Sequence, residues 1–131
     1  MQLEPGSPAQ WLAYARSDLG VARLDPPEDV LWETLAFHLQ QAIEKALKAI
    51  LIDRGIRFPR THSIELLTQL LPCELAQPSQ LSTAAELTEY GTTFRYPGQE
   101  EPVAEAQYHE ALQTAEAVVA WAEAVIKKDN G

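Results

Sequence analysis

Arg57 and His62 are the residues of this chain whose chemistry could act on RNA. Four residues separate them in the segment IRFPRTH. A histidine can move the proton of a 2′-hydroxyl, and an arginine can stabilise the charge that develops on the phosphorus centre, so the pair could cleave RNA without a metal. The alternative is structural, with His62 capping the next helix or bonding a carbonyl. We favour the structural role, because the sequence shows no partner for this histidine.

Positive charge is concentrated in residues 45–60, although the whole chain is acidic. The segment has a net charge of +4 within a chain of net charge -9, and its charged residues are Lys45, Lys48, Asp53, Arg54, Arg57 and Arg60. A local cationic surface could bind a nucleotide or a short RNA, while the acidic remainder would repel most nucleic acid. The same side chains could instead pair with acidic groups on neighbouring helices. The sequence leaves both interpretations open.

Arg95 and Tyr96 form a second candidate site at the end of a predicted helix. The guanidinium of Arg95 could reach a phosphate, or it could bond to carbonyls and carboxylates inside the protein. Tyr96 could stack on a base or pack against a helix. The glutamates and histidines lack the spacing of metal sites in helical bundles, so we expect no metal and no cofactor.

The elements that must position these residues are predicted to be helices. Ser7 and Pro8 begin the first helix, which runs to about Leu24, and Asp29 is a candidate cap for the second. The second helix, Val30 to about Arg54, is apolar on most sides and carries a polar stripe. That pattern is typical of the centre of a bundle. The stripe consists of His38, Gln41, Lys45 and Lys48.

Three further helices complete the prediction. Gly55 closes the second helix, and Thr61 is a candidate cap for a short third helix that stops before Pro72. A fourth helix covers about Gln80 to Phe94, and the last covers Ala104 to Ile126. We therefore expect an all-α, up-and-down bundle of four main helices plus a short one, in a single domain 1–131 with an ordered core of about 8–127.

Composition is typical of a soluble protein. Hydrophobic residues make up 46% and charged residues 22% of the 131 residues. No basic start with an apolar run and no stretch of about 20 apolar residues is visible, so neither a signal peptide nor a membrane span is expected. The single Cys73 cannot form an intramolecular disulfide. We expect a cytoplasmic location.

Three ordered motifs resemble the HEPN domain family (higher eukaryotes and prokaryotes nucleotide-binding). They are FHLQQAIEKALK at 37–48, THSIELL at 61–67 and FRYPG at 94–98. The resemblance covers roughly residues 8–127. It implies a helical bundle and a homodimer that binds nucleotide or RNA, or that pairs with a minimal nucleotidyltransferase in a two-component, toxin-antitoxin-like system.

The resemblance also bears on the two candidate sites. HEPN ribonucleases carry an arginine followed after four to six residues by a histidine, and Arg57 with His62 has that spacing. The family's pair, however, opens a helix in the C-terminal half, where Arg95 lies, and no histidine follows Arg95 at that spacing. We therefore expect a non-catalytic module that binds a nucleotide or a partner. The alternative is a metal-independent endoribonuclease acting at a dimer cleft, either through Arg57 with His62 or through Arg95 with an unidentified proton carrier.

Overall fold

The computed structural model describes residues 6–84 and 105–130. Within them the chain forms five helices and no strand: α1 (Pro8–Ala22), α2 (Trp32–Asp53), α3 (Ile64–Gln69), α4 (Leu81–Ala84) and α5 (Glu105–Asn130). The all-α prediction is confirmed. Of the predicted fourth helix, only the part up to residue 84 lies inside the described residues.

Helix α2 is the centre of the structure. It packs against α1 and α5 along its length and against α3 near its end, while α4 lies on α5. Eight of its buried apolar residues have no exposed surface at all: Leu39, Ala42, Ile43, Ala46, Leu47, Ala49, Ile50 and Leu51. Helices on more than one side cover this apolar helix, as its sequence predicts.

The ends of α1 are fixed by side chains. The Ser7 hydroxyl accepts from the Gln10 backbone N–H, and the Gln10 side chain accepts from the Ser7 N–H, so the predicted start is a complete capping box with Pro8 behind it. The helix ends at Ala22, earlier than predicted. There the buried Tyr108 hydroxyl donates to the Ala22 carbonyl, one of the terminal carbonyls that a helix leaves without an internal donor.

Two predicted caps are wrong. Helix α2 begins at Trp32 behind Leu31, with no side-chain cap, rather than behind Asp29. Helix α3 is capped by Ser63, whose hydroxyl accepts from the Leu66 N–H. Thr61 lies two residues too early, and its hydroxyl accepts from the Ser63 N–H instead. In both places the helix begins two residues later than the polar capping residue alone indicated.

No helix in the described part of the chain is both long enough and apolar enough to cross a membrane.

Candidate functional site

The connection between α2 and α3 holds most of the candidate site residues, and its course is fixed at both ends. Gly55 adopts a left-handed φ of 69°. Its N–H donates to the Ile52 carbonyl at 3.0 Å, and the Ile56 N–H donates to the Leu51 carbonyl at 2.8 Å. These two bonds are the Schellman motif that closes a helix at a glycine. The predicted role of Gly55 is therefore confirmed.

Phe58 anchors the middle of this connection. Its side chain is buried in the core, and Arg57 and Arg60 on either side are exposed. Within residues 6–84 and 105–130, no hydrogen bond or ion pair engages either arginine. The chain thus presents two free guanidinium groups on a segment that a buried aromatic ring holds in place.

Glu44 is the centre of a buried polar cluster on α2. Its carboxylate is 2% exposed and accepts from four donors: Gln40 Nε2 at 3.3 Å, Gln41 Nε2 at 3.1 Å, Lys48 Nζ at 3.1 Å and His62 Nδ1 at 2.8 Å. A buried carboxylate is stable only when it is paired and hydrogen-bonded in this way. We call these five residues the Glu44 cluster.

The Glu44 cluster joins the start of α3 to α2. Gln40 Nε2 also donates to the His62 carbonyl at 3.1 Å, and Gln41 Nε2 donates to Gln40 Oε1 at 2.7 Å. The two amides therefore hold the backbone of His62 while Glu44 holds its ring. The interpretation of His62 as a helix cap is wrong, but a structural tie is what the contacts show.

Lys48 completes the cluster from the core side. It is 3% exposed, and its Nζ lies 5.5 Å from the centroid of the Trp11 ring and 6.0 Å from that of Phe58. Aromatic faces attract a cation most strongly where water is excluded. The Lys48 ammonium is thus neutralised inside the protein and does not lie on the surface with Arg57 and Arg60.

The contact with Glu44 also orients the His62 imidazole. A carboxylate accepts hydrogen bonds and does not donate them, so the nitrogen that faces it, Nδ1, carries the hydrogen. The side chain is 62% exposed, which leaves Nε2 at the surface. When the ring is neutral, this nitrogen has a free lone pair that can accept a proton or a hydrogen bond.

A second acidic centre lies on α1. Asp18 accepts from Lys45 Nζ at 2.6 Å through one oxygen, and its other oxygen lies 3.0 Å from His38 Nδ1. Lys45 also lies 6.0 Å from the centroid of the Tyr14 ring. The predicted polar stripe of α2 therefore divides, with His38 and Lys45 turned to α1 and with Gln41 and Lys48 turned to Glu44.

The cationic segment divides in the same manner. Lys45 and Lys48 pair with acidic groups, and Arg54 Nε lies 3.9 Å from Asp53 Oδ2. Arg57 and Arg60 remain as candidate ligands for an anion. Arg95 and Tyr96 lie outside the described residues, and their proposed roles stay predictions.

The remaining histidine is peripheral. His109 Nε2 lies 3.4 Å from Glu105 Oε2 at the start of α5, and the ring is mostly exposed. In the described part of the chain, no group of three or more His, Cys, Asp or Glu side chains is arranged to hold a metal ion.

The sequence interpretation missed Gln40, Glu44 and Asp18 as partners of the predicted residues. A signal was present for two of them, because polar side chains at positions 40, 41, 44 and 48 recur at helical spacing within an apolar helix. Polar groups that face a core need partners, so this pattern predicts a buried cluster. Nothing local indicated Asp18, which lies on another helix.

The model of the HEPN domain matches residues 9–125. The chain belongs to the HEPN domain family. No curated protein matches this HEPN domain significantly in sequence.

Two solved structures resemble this HEPN domain over nearly their whole length. The protein TT1696 from Thermus thermophilus is 29% identical, with a TM-score of 0.72 over 88% of this chain and 95% of that chain. ST0689, an archaeal HEPN homologue, is 28% identical, with a TM-score of 0.70 over 93% of this chain and 99% of that chain. The resemblance stated from the sequence motifs is thus confirmed for family and fold.

Proposed function

We propose that this HEPN domain is a non-catalytic module that binds the phosphate of a nucleotide or RNA, and that it acts as a homodimer with a minimal nucleotidyltransferase as partner. One observation carries the anion-binding part: Arg57 and Arg60 are exposed and, within the described residues, unpaired on either side of the buried Phe58. Arginine guanidinium groups bind phosphate oxygens through paired hydrogen bonds.

The physical advantage of this site is its preorganisation. The Schellman motif at Gly55, the buried Phe58 ring and the contact between His62 and Glu44 fix the segment before any ligand arrives. Little conformational entropy is then lost when an anion binds. The negative charge of the whole chain restricts binding to ligands that reach this segment.

Titration calorimetry with ATP and with a short single-stranded RNA tests the anion site. We expect Arg57→Ala and Arg60→Ala each to weaken binding at least about tenfold, because each removes a charge-assisted hydrogen bond worth about 1.5 to 3 kcal/mol. The matched control is Arg16→Ala, which removes the same charge from an arginine already paired with Glu123. No binding by the wild type, or an equal loss in the control, would contradict the anion site.

The nucleotidyltransferase partner needs its own test. If the neighbouring gene encodes a minimal nucleotidyltransferase, the two proteins should co-purify when produced together. The Arg57→Ala and Arg60→Ala variants then show whether the partner uses the same segment. Failure of the two proteins to associate would reject the two-component arrangement and leave the anion site to be judged by calorimetry alone.

The second candidate function is a metal-independent endoribonuclease, and the contact between Glu44 and His62 favours it. Glu44 holds the imidazole with Nε2 at the surface, an arrangement in which a carboxylate prepares a histidine to accept a proton. Arg57 and Arg60 would stabilise charge on the phosphate. The candidate requires cleavage that survives a chelator.

An RNA cleavage assay with chelator, run from about pH 6 to 9, separates the two candidates, because the proposed proton acceptor is a neutral imidazole. Cleavage by the wild type that disappears in His62→Ala and persists in His109→Ala, a matched change at an exposed histidine, would assign the nuclease activity. Thermal melts of both variants check that they remain folded. RNA left intact by the folded wild type would reject this candidate and leave the binding module in place.

A further inference from the structure

The exposed large hydrophobic side chains of the described residues are concentrated in one part of the chain. They are Tyr14, Val21, Leu24, Leu31 and Phe37, with Leu24 63% exposed. All of them lie on α1, on the connection after it or on the first turns of α2. The remaining helices expose none in the described residues. Apolar surface gathered in this way indicates a contact with another molecule.

Helix α1 contributes the most continuous part of this surface. Its outward residues are Ala13, Tyr14, Ser17, Gly20 and Val21, followed by Leu24 just beyond the helix, and all are exposed. Residues three, four and seven positions apart share one face of a helix. We call these six residues the α1 face. None of them carries a charge.

The charged residues beside the α1 face are turned away from it. Asp18 pairs with Lys45 of α2, while Arg16 and Arg23 pair with α5 residues Glu123 and Glu116. Arg16 and Arg23 thus border the face on the α5 side, and Asp18 borders it on the α2 side. The ion pairs hold these side chains laterally, and an uncharged strip remains between them.

Gly20 is the second, independent observation. Its φ is not positive, so the backbone conformation does not require glycine. A Cβ at this position would meet nothing within 4 Å, so packing inside the described part of the chain does not require glycine either. Glycine in a helix is less favourable than alanine. Close contact with a helix of another molecule would give this glycine a role, because it has no side chain to keep the backbones apart.

We propose that the α1 face binds the same face of a second copy of this chain, with the two α1 helices antiparallel across a two-fold axis. This inference rests on the homodimeric part of the proposed function and assigns the surface. Antiparallel pairing sets Leu24 opposite Ala13 of the second copy and Ser17 opposite its Gly20. Leu24 therefore covers a small residue, while Ser17 and Gly20 leave room for the two helices to approach closely across the two-fold axis.

Charge selects a second copy as the occupant. Two molecules of net charge -9 repel each other over most of their surfaces. A face that carries no charge adds no local repulsion to their contact, and the lateral ion pairs make the α1 face such a surface. A partner that recognised this acidic chain through opposite charge would not use this face.

Sedimentation velocity and light scattering over a range of concentrations test the proposal. We expect the full wild-type chain to be a dimer. Gly20→Glu and Leu24→Glu each place a charge in the contact, and each should raise the dimer dissociation constant at least about thirtyfold, as loss of an interface hot spot does. Gly20→Glu also improves helix propensity, so unfolding cannot account for its effect.

The matched control is Ala120→Glu, which adds the same charge at an exposed position of α5. It should leave the dimer intact. If both α1 variants remain dimers, the protein is a homodimer but its interface is not the α1 face. A wild type that is monomeric at every concentration would overturn the homodimer as well. If the monomeric wild type binds the nucleotidyltransferase and the Leu24→Glu variant does not, the α1 face binds that partner and not a second copy.

Discussion

Two neighbouring segments of this HEPN domain use their charged residues in opposite ways. Along α2, Glu44 and Lys48 are buried and paired, and Gln40, Gln41 and His62 complete the hydrogen bonds of the carboxylate. Shortly beyond the end of the helix, Arg57 and Arg60 are exposed and unpaired in the described structure. Charges of the first kind hold the fold together, whereas those of the second kind are available to a ligand.

The two kinds of charge differ in the free energy that is lost when their partner is removed. A charge left alone in the core has lost its hydration without compensation, whereas an exposed charge remains solvated whether or not a partner is present. Replacing residues in the two segments should therefore change different quantities. Substitutions in the Glu44 cluster should lower the free energy of unfolding. Substitutions of Arg57 or Arg60 should weaken the binding of an anion.

Glu44→Leu should have the largest effect on stability. It leaves the Lys48 ammonium buried without its carboxylate, which costs about 3 to 5 kcal/mol for a broken buried pair. Urea denaturation measures the loss. The double variant Glu44→Leu with Lys48→Met should regain much of it, because no lone charge remains in the core. A single variant within about 1 kcal/mol of the wild type would show that water reaches this cluster.

Tyr108→Phe should have the next largest effect. The phenol donates to the Ala22 carbonyl at the end of α1, and its loss should cost about 1 to 3 kcal/mol, as expected when a buried acceptor loses its donor. Burial raises the pKa of Tyr108 to about 12 from 10.0. The folded state therefore favours the neutral phenol, and its contribution is complete below about pH 10 and is lost as the pH rises through about 12.

Denaturation curves between about pH 8 and 12 check this dependence. The wild type should lose stability above about pH 10, and Tyr108→Phe should lose less over the same interval because it has no phenol to ionise. If the wild type and Tyr108→Phe lost the same free energy of unfolding as the pH rises, the proposed role of Tyr108 would be contradicted.

Asp18→Asn should have a smaller effect than the two buried changes. Asp18 pairs with Lys45, whose side chain is 23% exposed, so water already screens part of the interaction. We expect a loss of about 1 kcal/mol at most, which salt should reduce further. Thermal melts at low and high salt measure it. A loss of stability as large as that of Glu44→Leu would show that Asp18 stabilises the fold as strongly as the buried Glu44 does.

Arg57→Ala and Arg60→Ala should have the smallest effect on stability, within about 0.5 kcal/mol, because neither side chain has a partner to lose in the described structure. The same variants should lose nucleotide affinity. Urea denaturation beside calorimetry on one preparation gives both quantities. A marked loss of stability would show that these arginines help to hold the fold together, as the Glu44 cluster does. It would also remove the support for the anion site.

Much of the fold could be predicted because its signals are local. Ser7 with Pro8 marked the start of α1, Gly55 marked the end of α2, and the apolar pattern of α2 placed it at the centre. The caps at Asp29 and Thr61 failed because polar residues that can cap a helix also occur in ordinary turns. Which of them is used depends on where apolar neighbours such as Trp32 and Ile64 pack.

The site was less predictable, because pairing depends on distances between helices. The helical spacing of Glu44 and Lys48 was visible in the sequence, but nothing in it showed that Asp18, twenty-seven positions before Lys45 and on another helix, neutralises that lysine. His62 was seen as a lone histidine, since its partner lies eighteen positions away on another element. Long-range contacts of this kind leave no periodic trace in a single sequence.

The sequence by itself determined the helical class, the central helix and, through three ordered motifs, the HEPN family. These properties follow from periodicity, capping residues and residue order, which are all local in the chain. The tertiary structure alone decided which charges are buried and which are free. That outcome depends on solvation and on partners brought together by packing, so Lys48 and Arg57, both cations in one basic segment, have opposite environments in the folded protein.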